Sequence, residues 1–167
     1  CQLYGMPQQV LTDWGSEFRG EFADYCAEHG ITMRKSCPYE HWQAGLVERS
    51  HRTLKDTARA LLADSALPND FWPYAMQCAA YLINHTRSVH HGMTPVERMT
   101  GRRPDLSHLR VFGCPVYEYL PKERRDDDWK LSKVGVFVGY DPLCSSYIVY
   151  RPDSRTFVRR RSLLFDE

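Results

Sequence analysis

The sequence predicts an α/β region followed by a small all-β domain. Between residues 46 and 100, apolar side chains recur at the three- and four-residue spacing of helices. Beyond Pro104 the pattern changes to short alternating or β-branched runs separated by Pro, Gly, Asp and Ser. An apolar share of 43% with 13% aromatic residues indicates a folded chain with a core. We therefore expect two domains, residues 1–103 and residues 104–167.

The first part begins with a strand, a helix and a second strand. Residues 8–12 form an apolar run that ends at Asp13, which predicts a buried strand breaking into a turn. Residues 16–29 have helical spacing and Gly30 is their expected stop. We expect residues 31–35 to form a second strand and the polar, Pro-containing residues 36–45 to form a loop. The expected buried face of the helix comprises Phe18, Phe22, Tyr25 and Cys26.

Two longer helices and a short one are predicted next. Residues 46–63 and 70–87 have apolar stripes at helical spacing, and Asn69 or Asp70 is the expected cap of the second helix. Thr94, Pro95 and Glu97 predict a capping box at the start of a short helix that Gly101 ends. The buried stripes are expected to contain Val47, Leu54, Ala58 and Leu61 in the first helix, and Phe71, Ala75, Ala79 and Leu82 in the second.

The all-β part is predicted from four runs, residues 114–120, 134–140, 147–151 and 156–160. The 22 basic and 21 acidic residues nearly cancel, so a nucleic-acid partner can only be inferred from local clusters. The six cysteines include no CxxC pair, which argues against a structural zinc site and a dense disulfide framework. No apolar run approaches the length that a membrane span needs, so no membrane partner is expected.

Asp13 and Glu48 are the candidate catalytic pair. Asp13 follows a predicted strand and Glu48 lies near the start of a predicted helix, so two rigid elements could direct their carboxylates to one site. Clustered carboxylates are the ligands that hard Mg²⁺ prefers, and a pair of such ions catalyses phosphoryl transfer on DNA. On spacing alone, the simpler alternative of a turn aspartate and a Glu48–Arg52 helix pair is favoured.

The residues around Asp13 and Glu48 favour the catalytic interpretation over this simpler alternative. Residues 11–18 read LTDWGSEF and resemble the TDNGxEF element around the second catalytic Asp of copia-type retrotransposon integrases. Residues 38–54 resemble the PYTPQQNGxAERxNRTL element around the final Glu of the same family, through Pro38-Tyr39, Gln43, Gly45, Glu48-Arg49 and Arg52-Thr53-Leu54. Later matches to the family include Leu67-Pro68, Phe71-Trp72, residues 81–84, Thr94-Pro95, residues 108–114, residues 135–140 and residues 165–167.

This resemblance implies an α/β ribonuclease-H-like core followed by a small all-β SH3-like barrel. Asp13 and Glu48 would be the second and third members of a metal-binding acidic triad, with Mg²⁺ or Mn²⁺ as cofactor. The family places the first Asp on a strand upstream of Cys1, so we expect the core to be incomplete at its N-terminal strands. The implied activity is that of a DDE-type polynucleotidyl transferase in DNA integration. It remains open whether this chain is an enzyme, and inactivity of the isolated chain is expected.

The resemblance also implies partners and a location. We expect DNA, both element ends and target, a homo-oligomer in the intact integrase, and a nuclear or cytoplasmic-particle location inside the cell. The alternative function is a catalytically dead remnant that binds nucleic acid or protein. A third interpretation is a decayed, non-functional open reading frame. A strand-borne Asp encoded some tens of residues upstream of Cys1 would separate the integrase from the other two.

Local basic clusters provide the candidate DNA contacts. Arg49, Arg52, Lys55 and Arg59 recur at helical spacing beside Glu48, and we favour phosphate contact over a merely solvated helix surface. For residues 159–161, three consecutive arginines, phosphate contact and solvation are equally compatible with the sequence. The two histidines at residues 90–91 lack partners at metal-ligand spacing, so they are expected to lie in a surface loop. The aromatic residues Trp72, Tyr74 and Trp129 are expected in the core or an interface.

Overall fold

The structure is a computed structural model that describes residues 5–12, 15–35, 41–88, 92–119, 132–141 and 145–167. Contacts along the chain divide it into two compact units, residues 1–52 and 53–167. The division falls within a long helix. The expected domain boundary at residues 103–104 stays a prediction.

A pair of parallel strands organises the first unit. Strand β1 (Gln9–Thr12) pairs with β2 (Thr32–Lys35), and helix α1 (Glu21–Glu28) lies between them in the chain. This order follows from geometry, because two parallel strands need a crossover connection rather than a tight turn. The side chains of Cys26 on α1 and Ile31 before β2 are buried.

The predicted helix over residues 16–29 is interrupted. A 3-10 turn (Ser16–Phe18) precedes α1, and Gly20 between them has a φ of 60°, a value that glycine adopts without strain. The expected buried face is wrong for Tyr25, which is 45% exposed and stacks on His29 at a ring distance of 4.1 Å. Cys26 is buried, as expected.

Helix α2 (His41–Ser65) is longer than predicted. It starts at His41, so the expectation of a loop across residues 41–45 is wrong, and Gly45 lies inside the helix. A glycine in a helix interior costs only about 1 kcal/mol relative to alanine, which neighbouring turns can offset. Of the expected buried stripe, Ala58 is fully buried, whereas Val47 is 54% exposed.

Helix α3 (Trp72–His85) starts later than predicted. A 3-10 turn (Asn69–Phe71) precedes it, and no side chain of Asn69 or Asp70 caps the helix. Pro73 occupies the first turn, where its missing N–H leaves no hydrogen bond unmade. The apolar stripe is confirmed for Phe71, Ala75 and Ala79, which are buried, whereas Leu82 is half-buried.

Helix α4 (Pro95–Thr100) has the predicted capping box. The Glu97 backbone N–H donates to Thr94 Oγ1 at 3.0 Å, and the Thr94 N–H donates to Glu97 Oε2 at 3.4 Å. Gly101 ends the helix with a φ of 70°. Both ends of this short helix were therefore readable from local sequence.

The second unit also contains an antiparallel sheet. Its strands are β3 (Pro115–Tyr119), β4 (Ser132–Asp141), β5 (Ser146–Arg151), β6 (Thr156–Arg160) and β7 (Leu164–Phe165), in the order β6-β5-β4-β3-β7. The first four were predicted, and the two-residue β7 was too short to leave a periodic signal. Helix α3 packs against the central strand β4, and residues 137–141 of β4 are buried without alternation.

A turn before β3 connects the sheet to the end of α2. The Gly113 N–H donates to the Phe137 carbonyl at 2.8 Å, and the Phe137 N–H donates to the Cys114 carbonyl at 3.0 Å. Gly113 has a φ of 84°, and a Cβ placed on it would lie 2.3 Å from the Cβ of Ser65. Glycine is required here by both backbone conformation and close approach.

Gly113→Ala should therefore destabilise the full chain. Backbone strain at positive φ costs about 1–3 kcal/mol, and the collision with Ser65 adds to it. Gly92→Ala is the matched control, because Gly92 has a φ of 63° but nothing within 4 Å of the position that a methyl group would occupy. Urea unfolding followed by circular dichroism measures both variants. Equal losses of unfolding free energy in the two would contradict the close contact at Gly113.

A histidine and tyrosine network joins α3 to the sheet. The Tyr81 hydroxyl and His108 Nε2 lie 2.7 Å apart, and the Tyr147 hydroxyl donates to the His108 carbonyl at 3.1 Å. Tyr81 stacks on Tyr140 at 4.3 Å and on His85 at 4.1 Å. Burial lowers the pKa of His108 and the neighbouring His85 lowers it further, while Asp105 acts in the opposite direction.

Acid should weaken this junction. Because the folded-state pKa of His108 lies below the ordinary value of 6.5, the unfolded chain takes up the proton first. The contribution of His108 to the free energy of unfolding is complete above pH 6.5 and is lost as the pH falls below that value. In urea unfolding, the free energy of unfolding should fall less between pH 7 and pH 5.5 for His108→Gln than for the parent protein. An identical loss in both proteins would contradict this origin.

Candidate metal and nucleic-acid site

The end of β1 is the first element of the predicted site. Thr12, the last residue of β1, is buried, and the next residue in the chain is the candidate ligand Asp13. Asp13 lies outside the described residues, as does its neighbour Trp14. The structure therefore gives the position of the strand end but does not test the metal role of Asp13.

Helix α2 carries the other candidate ligand. Glu48 is exposed, and it lies two helical turns inside α2 rather than near its start, because the helix begins at His41. Within the described part of the chain, its carboxylate has no hydrogen bond or ion pair. The oxygens of Glu48 are thus available to a ligand from solution.

The four candidate DNA contacts are all exposed on α2. Arg49 Nε donates to the Gly45 carbonyl at 3.1 Å, and Arg59 pairs with Asp56 at 3.1 Å. The two side chains of the Arg59 pair are 69% and 59% exposed, so solvent screens the pair and its net contribution is small. Arg52 and Lys55 have no ion-pair partner among the described residues.

The described residues do not by themselves form a metal centre. Across residues 5–12, 15–35, 41–88, 92–119, 132–141 and 145–167, no three His, Cys, Asp or Glu side chains are grouped so that they could hold a metal ion. A single carboxylate such as Glu48 provides one ligand position, whereas Mg²⁺ needs octahedral coordination. A metal site at Glu48 would therefore require further ligands.

Of the three consecutive arginines at residues 159–161, the first two have partners within the sheet. Arg159 Nε pairs with Asp141 at 2.6 Å, and Arg160 Nε donates to Glu118. Arg161 also has an interaction partner. The partly enclosed Arg160 is thus favoured for a role in the domain itself, whereas the Arg159 side chain is 70% exposed and is compatible with phosphate contact as well. The histidine pair at residues 90–91 and the aromatic residue Trp129 lie outside the described residues.

Glu118 is a charged residue that the sequence patterns did not reveal. It accepts hydrogen bonds from Arg151 on β5 and Arg160 on β6, although it lies on β3. Burial alone would raise the pKa of Glu118, but the two arginines outweigh it and hold the pKa below its ordinary value. Since β3 and β6 are separated by two strands in the sheet order, the contact requires the sheet to curl as a small barrel does.

Comparison with known proteins gives the class of this chain. The family model of the retroviral polymerase SH3-like domain matches residues 114–167. A chain of the simian T-cell lymphotropic virus intasome, solved in complex with the PP2A regulatory subunit B56 gamma, has the same fold. It aligns with a TM-score of 0.51 and 20% identity over 98% of this chain and 59% of that chain. The ribonuclease-H-like and SH3-like fold classes are thereby confirmed.

Sequence relatives then give the family. The Pol polyprotein from transposon TNT 1-94 of Nicotiana tabacum is 35% identical over 162 residues, and that from transposon RE1 of Arabidopsis thaliana is 35% identical over 158 residues. These alignments cover 96% and 91% of this chain, but 12% and 11% of the relatives. The chain is similar to a segment of the retrovirus-related Pol polyproteins of transposons, and the predicted retrotransposon ancestry is confirmed.

The relatives also set the scale of the segment. The chain spans about an eighth of the length of the TNT 1-94 polyprotein. The match extends to the transposon 412 polyprotein of Drosophila melanogaster, at 31% identity over 82% of this chain and 11% of that protein. None of the helices in the described residues is both long and apolar enough to cross a membrane.

Proposed function

We propose that this chain is the part of a retrotransposon integrase that supplies two metal-binding carboxylates and a DNA-contacting helix. The carboxylates are Asp13 and Glu48, and the helix is α2. The observation that carries the proposal is the exposure of Glu48 together with Arg49, Arg52, Lys55 and Arg59 on one helix of a Pol-family segment. Residues 1–103 would form part of the catalytic core and residues 104–167 the SH3-like domain.

Glu48 is chemically suited to the metal. Carboxylate oxygens are the ligands of Mg²⁺ and Mn²⁺, and those of Glu48 are not occupied by hydrogen bonds or ion pairs with the described residues. With Asp13 and a third carboxylate upstream of Cys1, Glu48 would hold the ions. When bound, a metal pair activates the attacking oxygen and stabilises the leaving one in phosphoryl transfer.

The basic side chains of α2 would contact DNA phosphates, whereas the carboxylates would bind metal ions. Phosphate contacts fix the position of a protein on a duplex and give an affinity that falls with salt. Arg52 and Lys55 have no intramolecular counter-ion in the described structure, and the exposed Arg59–Asp56 pair can exchange Asp56 for phosphate at small cost. The partners would be element-end and target DNA, within a homo-oligomer acting in the nucleus or a cytoplasmic particle.

DNA binding through α2 predicts a defined salt dependence. Each phosphate contact contributes about 0.9 to the slope of log affinity against log salt, so R52Q/K55Q should flatten the slope by about 1.8. Fluorescence anisotropy of a short labelled duplex at several salt concentrations measures it. The matched control is R34Q/R155Q, which removes the same charge from two exposed sites outside α2. Equal slopes in the two variants, with unchanged melting, would contradict the α2 contact.

Catalysis is expected to need more than this chain. Asp13 and Glu48 provide two of the three carboxylates of the triad, and losing a metal removes several kcal/mol of transition-state stabilisation. With Mg²⁺ or Mn²⁺, the isolated chain should give no joined product from a labelled oligonucleotide duplex. The same chain extended upstream by its natural sequence should give product that Glu48→Gln abolishes.

Two results would count against this function. Joining by the isolated chain, lost on Asp13→Asn, would show that the third carboxylate is not required. An extended protein that binds DNA but never joins it would instead favour the alternative, a catalytically dead binding remnant. The α2 contact and the metal chemistry are therefore tested separately.

A further inference from the structure

Three arginines near α4 are not accounted for by the proposed active site. Arg98 lies in the last turn of α4, and Arg102 and Arg103 follow the Gly101 turn. All three side chains are exposed. We refer to Arg98, Arg102 and Arg103 as the α4 arginine surface.

The backbone that carries this surface is held by several hydrogen bonds. The capping box fixes the start of α4, and the Gly101 N–H donates to the Glu97 carbonyl at 2.8 Å at its end. The Thr100 hydroxyl donates to the Val96 carbonyl at 2.9 Å, and the Arg102 N–H donates to Thr100 Oγ1 at 3.3 Å. A ligand that binds these arginines thus has little backbone to order.

The neighbouring carboxylates make hydrogen bonds elsewhere and form no ion pair with the arginines. Glu97 is engaged in the capping box with Thr94. Asp105 accepts from the Ser107 N–H at 2.9 Å and from the Ser107 hydroxyl at 2.7 Å. In the described part of the chain, none of the three arginines has an ion-pair partner, whereas Arg59 and Arg159 do. The guanidinium donors of the α4 arginine surface are therefore available to an anionic ligand.

We propose that the α4 arginine surface binds the phosphate backbone of duplex nucleic acid, as a contact separate from α2. A guanidinium presents a planar set of donors that matches phosphate, and a duplex offers phosphates at high linear density. Three cations within six residues exceed what one small anion needs. The proposal goes beyond the α2 contact and does not depend on it, since the two surfaces share no residue.

The test uses the full chain and a short labelled DNA duplex. R98Q/R102Q should flatten the log–log salt slope by about 1.8, because two phosphate contacts of about 0.9 each are removed. The control R34Q/R155Q, with the same change of charge, should flatten it by less than half as much. Melting curves of both variants should match the parent, because all four side chains are exposed. Combining R98Q/R102Q with R52Q/K55Q should flatten the slope by about the sum of the two effects.

Two outcomes would overturn the proposal. One is a slope for R98Q/R102Q that equals that of the control. The other is an unchanged DNA affinity together with lost binding to a labelled poly-glutamate peptide, which would identify an acidic protein segment as the partner. Failure of R52Q/K55Q alone would contradict the α2 contact and leave the α4 result standing.

Discussion

Close packing of small helix residues against β4 is the constraint on which the second unit depends. Ala75 and Ala79 of α3 are fully buried, and a larger side chain at either would push this helix away from β4, against which it packs. The short side chains bring α3 near enough to cover Phe137 and Val138, which are also fully buried. A strand normally has one covered face, but these consecutive residues are both enclosed, because the pairing with β5 shifts between Phe137 and Gly139. The turn at Gly113 depends on the same arrangement.

Local signals predicted those elements whose residues determine their own conformation. The capping box of Thr94 and Glu97, with Gly101 at the end of α4, needs no distant contact, and it was found where expected. The start of α2 could not be predicted in this way, because residues 36–45 include a proline and a glycine, both of which are weak helix formers. Val47 shows a second limit, since its helical spacing is correct but no described element covers it. Periodicity gives a face of a helix, whereas burial depends on what packs there.

The candidate site was predictable in part for the same reason. Helical spacing placed Glu48 and Arg52 on an exposed part of α2, and the motifs around them suggested a chemical role that spacing alone did not support. The ion-pair partners of Arg159 and Arg160 could not be predicted from the sequence. Asp141 and Glu118 precede these arginines by many residues and approach them only when the sheet curls. A run of like charges in a sequence therefore says little about which of them remain available to a ligand.

The contact of Glu118 with Arg151 and Arg160 restricts how this domain can change over time. Removing Glu118 alone would leave two partly enclosed cations without a counter-ion, and an uncompensated charge that is partly removed from water destabilises the fold. Replacing all three side chains by apolar groups of similar volume could be neutral, because the desolvation penalty would disappear with the charges. Substitution of any one of the three charged residues is thus destabilising, whereas replacement of all three is not. We expect drift at these three positions to be correlated, with substitutions arriving together or not at all.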